Sequence, residues 1–268
     1  MKLKTGAREL CFCLMAAALI CATTSCTSQS TAEKGTNEAA TPASRPPAEL
    51  VAQADQLYAQ REDMARVREG LAKLRGARAA DPNNYEAAWR LAKFNYYLGD
   101  NTTNAGERDK AFDDGVEAGR AAVKLQPEKP EGHFWLGANL GGQAKVSMLS
   151  GLADTDEIRQ EMETVLRLDE GYLSGSAYMA LGQVYLESPK MMGGDPKKAV
   201  EYMEKGLKFG ERNAPLHLRL AEAYLALDRK ADARKQLDMI FNMTPDPDYQ
   251  PEHKKAVAEA RKLIDKTA

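Results

Sequence analysis

Residues 214–245, APLHLRLAEAYLALDRKADARKQLDMIFNMTP, constrain this chain most, because they read as two short amphipathic helices joined by a tight turn. In the first half Leu220, Ala221 and Tyr224 fall at i, i+1 and i+4, with Ala223 and Leu227 completing the stripe, so large and small residues sit side by side on one face. In the second half Ala233, Leu237 and Ile240 recur at four and three, and Pro245 ends the helix five residues later by lacking an N–H and crowding the preceding turn. A unit this small cannot bury its apolar face alone, and the same pattern recurs upstream. Residues 50–82 carry Ala54 and Leu57, then Gly70, Leu74, Ala77 and Pro82; residues 85–127 carry Leu91 and Ala92, then Gly115, Gly119, Ala122 and Pro127. Residues 130–170 carry Leu136 and Gly137, then Ile158, Met162 and Val165; residues 176–211 carry Tyr178, Leu181, Gly182 and Tyr185, then Ala199, Met203 and Gly206. Matches kept in one register predict an all-α solenoid of about five helix-turn-helix units.

This alternation of small and large positions resembles the tetratricopeptide (TPR) repeat, in which small residues let paired helices approach and larger ones fill the gap between repeats. The repeat region is expected over 48–250, and 251–268 reads as one further helix, with Val257, Ala260 and Ile264 on one face, that caps the last repeat. Relative to the last repeat, the middle three carry extra residues between their helices, at 101–110, 144–155 and 189–194. Such insertions emerge on one face of an array, often the binding face. The first, NTTNAGERDK, reads as a solvated loop; the second, AKVSMLSGLADT, is apolar enough for helix extension or packing across the mouth of the array. The third places Met191 and Met192 before Gly193-Gly194-Asp195-Pro196, a turn in which Asp195 can cap the next helix and Pro196 suits its first position.

The N-terminal segment has its own logic. Lys2, Lys4 and Arg8 precede an apolar run from Leu10 to Ile20 and then small residues up to Cys26, which reads as a secretory signal over 1–25 and is too short for an ordinary membrane span. Three of the four cysteines lie inside it, so cleavage before Cys26 leaves one cysteine and no internal disulfide. Thr23-Thr24-Ser25-Cys26 resembles a bacterial lipobox, with Thr23 standing where an aliphatic residue is usual. The resemblance implies a lipid on Cys26, which would be the chain's sole attachment to a membrane; simple secretion and an uncleaved anchor are the alternatives. Residues 26–47 are too poor in apolar groups to order themselves and read as a tether. Thr27 is not the aspartate that retains some lipoproteins at the inner membrane, so a periplasmic domain anchored to the outer membrane is expected.

Residues 133–142, HFWLGANLGG, the long third-repeat insertion, and residues 176–207 together resemble the TatT family, the TPR-containing T components of bacterial TRAP transporters. Trp135-Leu136-Gly137 with Asn139 and Gly141 carries the first motif; Leu181-Gly182 with Tyr185, Gly193, Gly194 and Asp195 carries the second. Where those proteins commonly have Gly-Pro before the later helix, this chain has Ser174-Gly175-Ser176. Mitochondrial microtubule-regulator proteins share part of the same pattern. The TatT resemblance implies a non-catalytic periplasmic lipoprotein that docks a TRAP solute-binding protein, with an apolar or organic-acid ligand as its candidate cargo and no cofactor.

Other functions find little purchase. A net charge of −2 with 28% charged residues provides no basic face for nucleic acid. The three histidines are scattered, and the chain lacks a His-Glu-x-x-His pair, a P-loop or a Gly-x-Ser-x-Gly elbow, so no catalytic residue or metal ligand is assigned. The candidate ligand or partner residues are Trp135, Asn139, Met148, Met191 and Met192, with Gly193, Gly194 and Asp195 as a structural turn. Each has a plainer reading: the aromatic as inter-helix packing, Asn139 as a partner of backbone groups, the methionines as core filling. The alternative function is a general outer-membrane TPR scaffold for assembly or secretion, and self-association stays open.

Overall fold

A computed structural model describes residues 45–146 and 155–268; Cys26, Met148 and Leu149 lie outside the described residues. The described part is all-helical: α1 Pro47–Tyr58, α2 Met64–Ala80, α3 Tyr85–Asn101, α4 Ala105–Leu125, α5 Pro130–Val146, α6 Thr155–Leu168, α7 Tyr172–Glu187, α8 Pro196–Leu207, α9 Ala214–Ala226, α10 Lys230–Asn242 and α11 Gln250–Leu263. The first ten form five antiparallel pairs stacked side by side, the α-solenoid that the repeated spacing predicts. Short polar side chains start the helices. Asn84 and Asn213 accept from the N–H groups of Ala87 and Leu216, and Asp63, Asn104 and Asp195 cap α2, α4 and α8 in the same way. No helix among the described residues is long and apolar enough to cross a membrane.

The positions that repeat in the sequence form the core. Ala54, Leu74, Ala77, Ala92, Met162, Val165, Leu181, Met203, Leu220, Ala221, Leu237 and Ile240 are fully buried. The small residues mark where helices approach closest. A methyl placed on Gly119 of α4 would lie 2.8 Å from the Cα of Leu136 on α5, and one on Gly182 of α7 would lie 2.7 Å from Met203 Cγ and 3.0 Å from the Ala199 carbonyl of α8. The terminal helix α11 buries Ala256 and Ala260 against the last pair, with Val257 and Ile264 packed beside them.

Two details depart from the sequence reading. The stretch 101–110, expected as a solvated loop, is mostly helix: α3 runs through Asn101 and α4 starts at Ala105. Asn104 caps α4 on the Glu107 N–H, and the Glu107 carboxylate takes two hydrogen bonds from Arg68 of the preceding pair, so a polar sequence is held helical by neighbours the linear pattern does not show. At the start of α7, Leu173, Ser174 and Gly175 adopt left-handed backbone (φ 45°, 54° and 74°), and regular helix begins only at Ser176. The Ser174 carbonyl accepts from Asn213 Nδ2 at 2.9 Å, which ties this bend to the head of α9.

The array also closes on itself. Arg61, in the turn after α1 and only 4% exposed, donates from Nε and Nη2 to the two carboxylate oxygens of Glu252 on α11 at 3.0 and 2.6 Å. Its Nη2 also donates to the Asp248 carbonyl just before α11, and its guanidinium lies over the rings of Tyr58 (4.7 Å) and Tyr97 (5.7 Å). Lys254 pairs with Glu62 and Lys255 with Asp100, each at 2.6 Å. The first repeat and the capping helix thus meet through side chains across almost the full length of the described chain. The two lysine pairs are exposed and contribute little alone; the forked, sequestered Arg61 pair is the strong one.

Two outcomes are expected. Gly182→Leu must push α7 away from α8 and lower unfolding stability by about 1–3 kcal/mol, read from the urea midpoint; an unchanged midpoint would show that the two helices are not in close contact. Arg61→Met should speed amide hydrogen exchange in α11 while leaving α5 and α6 as they are. Identical exchange throughout would mean that the seam contributes nothing to holding α11.

Candidate functional site

The inner, concave side of the repeats is built from the first helix of each pair. On α3, Lys93, Tyr96, Tyr97 and Asp100 fall at i, i+3, i+4 and i+7 and so share one face. That face, with Phe134, Trp135 and Ala138 of α5, Met179 and Gln183 of α7, Leu218 and Arg219 of α9 and Glu252 and Ala256 of α11, lines a central cavity of about 1430 Å³. The seam residues Arg61, Glu252, Asp100 and Lys255 form part of the same wall. The seam therefore bounds one side of this half-open space.

Aromatic rings run along one side of it. Trp135 meets Phe134 edge-on at 5.0 Å and Tyr96 at 5.7 Å, and Phe134 meets Tyr172 at 5.4 Å. Trp135 is 7% exposed, and its indole N–H finds no acceptor at hydrogen-bonding geometry among the described residues. It nevertheless lies near enough to the Tyr172 phenol to favour that group's ionised form, against the burial that dominates and holds the phenol above its ordinary range.

The charged groups in the wall are mostly paired. Arg219 holds Glu222 and Glu259, Arg61 holds Glu252, and Lys255 holds Asp100. Lys93 and the exposed Lys145 differ in having no carboxylate at ion-pair distance among the described residues; of the two, Lys93 is the part-buried one, its ammonium 3.9 Å from the centre of the Tyr58 ring. Burial pushes it down to about 8, with Arg61 and Arg90 acting in the same direction and Asp55 opposing them. Burial together with the Glu252 charge pushes Tyr97 up to about 12.

The sequence-derived candidates scatter. Trp135 and Met192 line the cavity, but Met191, next to Met192, is 93% exposed and is not part of the wall. The short 3₁₀ turn Lys190–Met192 directs the two side chains to different environments. Asn139 is fully buried away from the cavity, its Nδ2 donating to the Ala92 carbonyl of α3 (3.0 Å) and the Trp135 carbonyl of α5 (2.7 Å). Its partners are therefore backbone groups, and it pins two repeats together. Gly193 has φ 87°, which favours glycine, and a Cβ on Gly194 would lie 1.9 Å from the Ser188 carbonyl. Asp195 accepts from the N–H groups of Lys197 and Lys198, so these three residues form the turn into α8.

The histidines serve the scaffold. His133 bridges the Glu161 carboxylate and the Pro127 carbonyl, two acceptors that together require both ring nitrogens to donate, and the Glu161 hydrogen bond accordingly raises its pKa against the opposing effect of burial. His217, at the equivalent place in the last repeat, bridges Gln236 and the Glu211 carbonyl. Among the described residues no group of three or more His, Cys, Asp or Glu side chains is arranged to hold a metal ion. Sequence reasoning missed Arg61, Lys93 and Tyr97. The i, i+3, i+4, i+7 face of α3 was the available signal for Lys93 and Tyr97; nothing local marks Arg61.

The fold has solved counterparts. A thermophilic TPR protein of Thermus thermophilus, TTC0263, is 20% identical with a TM-score of 0.59 over 79% of this chain and 99% of its own. The type IV pilus biogenesis factor PilW is 19% identical with a TM-score of 0.54 over 81% and 90%, and PilF of Pseudomonas aeruginosa is 18% identical with a TM-score of 0.53 over 81% and 91%. At such identities the likeness is one of fold. No curated protein matches the chain. The family model described as regulator of microtubule dynamics protein 1-3 matches residues 50–268, which takes in every repeat and the capping helix. The chain is a helical TPR-type repeat protein and belongs to the regulator of microtubule dynamics protein 1-3 family.

Proposed function

We propose that this protein is a non-catalytic, lipid-anchored periplasmic accessory of a TRAP-type transport system, a T component that docks the solute-binding protein and holds an apolar or organic-acid ligand inside its closed array. The observation that carries the ligand part is the aromatic-walled cavity of about 1430 Å³ behind the Arg61–Glu252 seam. An extended TPR groove suits a peptide or helix laid along it; one whose two ends are joined by a seam suits a small molecule held within it. The TatT-like motifs at 133–142 and 176–207 support the transport assignment. The lipobox-like Cys26 and the export signal over 1–25 support an envelope location, with the outer membrane as the destination, over the microtubule role in the family's name.

A second reading, a general interaction scaffold at the outer membrane, is favoured by the apolar side chains on the outer surface. Met191 is almost fully exposed, and Met239 and Phe241 are each partly exposed on α10. PilW, described as a pilus biogenesis factor, shows the same fold in a bacterial assembly protein.

The test is capture from a periplasmic extract of the native organism with the tagged protein after mild crosslinking, followed by mass spectrometry of retained proteins and small molecules. Recovery of a solute-binding protein is the expected result. Recovery of pilus, secretion or outer-membrane assembly components in its place would establish the scaffold reading and end the transport one.

A further inference from the structure

We infer that Lys93 is the anchor for the anionic group of the cavity's ligand, which makes that ligand an organic acid with an apolar body that lies against Tyr96 and Trp135. This rests on the cavity being a ligand site, as proposed above, and decides between its two candidate ligand classes.

Three independent features lead to it. Arg61, Arg219 and Lys255 in the wall are neutralised by carboxylates at 2.6–3.4 Å, whereas the Lys93 ammonium faces the π-surface of Tyr58 and has no such partner among the described residues. A cation–π contact leaves the outward side of the ammonium with donors to spare, since a lysine carries three. Second, Tyr96 lies one turn along α3 from Lys93, and its ring meets Trp135 at 5.7 Å. The polar anchor therefore opens onto apolar surface. Third, burial disfavours the charged form of Lys93, so the residue opposes folding stability at neutral pH where a methionine would not. A position that weakens the fold is the kind kept for a site. An incoming carboxylate would supply the missing counter-charge in a place already stripped of much of its water, where a charge-assisted hydrogen bond is strong.

The probes are octanoate and 1-octanol, equal in chain length and different in charge, titrated calorimetrically into the protein. The wild type should bind octanoate at least about tenfold more tightly than 1-octanol. Lys93→Met should lower octanoate affinity by about tenfold or more and leave 1-octanol within about twofold, while its melting midpoint at neutral pH stays level or rises. Lys93→Arg should keep octanoate binding. As pH is raised from about 7 to about 9.5, octanoate affinity of the wild type should fall as the free ammonium loses its proton, and that of Lys93→Arg should stay flat. The other groups facing Lys93 are Asp55 and Tyr58 of α1, Arg61 of the turn after it, Arg90 and Tyr97 of α3, and Glu252 of α11; both tyrosines are held above their ordinary range, away from this window. Equal affinity for the two probes, or an equal effect of Lys93→Met on both, overturns the anchor while leaving the cavity as an apolar ligand site. Failure of the wild type to bind either probe overturns the anchor together with the ligand-holding reading on which it rests.

Discussion

One guanidinium makes the cavity what it is. Arg61 is drawn out of water between Tyr58 and Tyr97; its Nη1 donates to the local Tyr58 carbonyl, and its Nε and Nη2 are satisfied by Glu252 and the Asp248 carbonyl at the other end of the array. A cation this sequestered would be unfavourable without those partners, so the side chain that stabilises the seam also enforces it. The inner faces of α3, α5, α7 and α9 line a trough, and the seam joins its two ends so that rings and paired charges border it on several sides. The two lysine pairs beside it add direction more than strength, because their groups remain in solvent.

Closure after so few repeats depends on how closely the helices stack. Gly119 admits the backbone of Leu136, Gly182 admits Met203, and the Phe112 ring fits against Gly99 and Gly142 from the helices on either side of its own. Asn139 adds a polar tie across the same layers, bonding to carbonyls of α3 and α5. His133 and His217 repeat a second device, each reaching back to a loop carbonyl and forward to the second helix of its own pair. These contacts fix the rotation from one repeat to the next, and that rotation brings α11 round to the first turn.

The repeat architecture was legible because it is periodic and local. Spacings of four, three and five between small and large residues identify which side chains are buried without any knowledge of their partners, and the glycines among them fall where helices touch. The turn at Gly193, Gly194 and Asp195 was legible for the same reason, since turn chemistry is written in adjacent residues. What depended on distant partners was not. Residues 105–110 look like polar loop until Arg68 is seen holding Glu107, and Arg61 looks like an ordinary turn residue until Glu252 arrives from a position 191 residues away. Asn139 illustrates an intermediate case, where the need for hydrogen bonds was clear but the choice between backbone and ligand was not. Met191 and Met192 show that neighbouring residues of one type in a tight turn can have unrelated environments.

The cavity in this form requires that the two ends of the array meet in solution. The segment from Ser44 to Ala268 contains no cysteine, so cysteines introduced at Gln60 and Gln250, which flank the clasp without taking part in its ion pairs, can be spin-labelled cleanly. A single narrow distribution of short label-to-label distances is the predicted result of a pulsed dipolar measurement. A broad distribution centred on long distances would show an open superhelix, in which neither the seam nor a ligand held behind it could form.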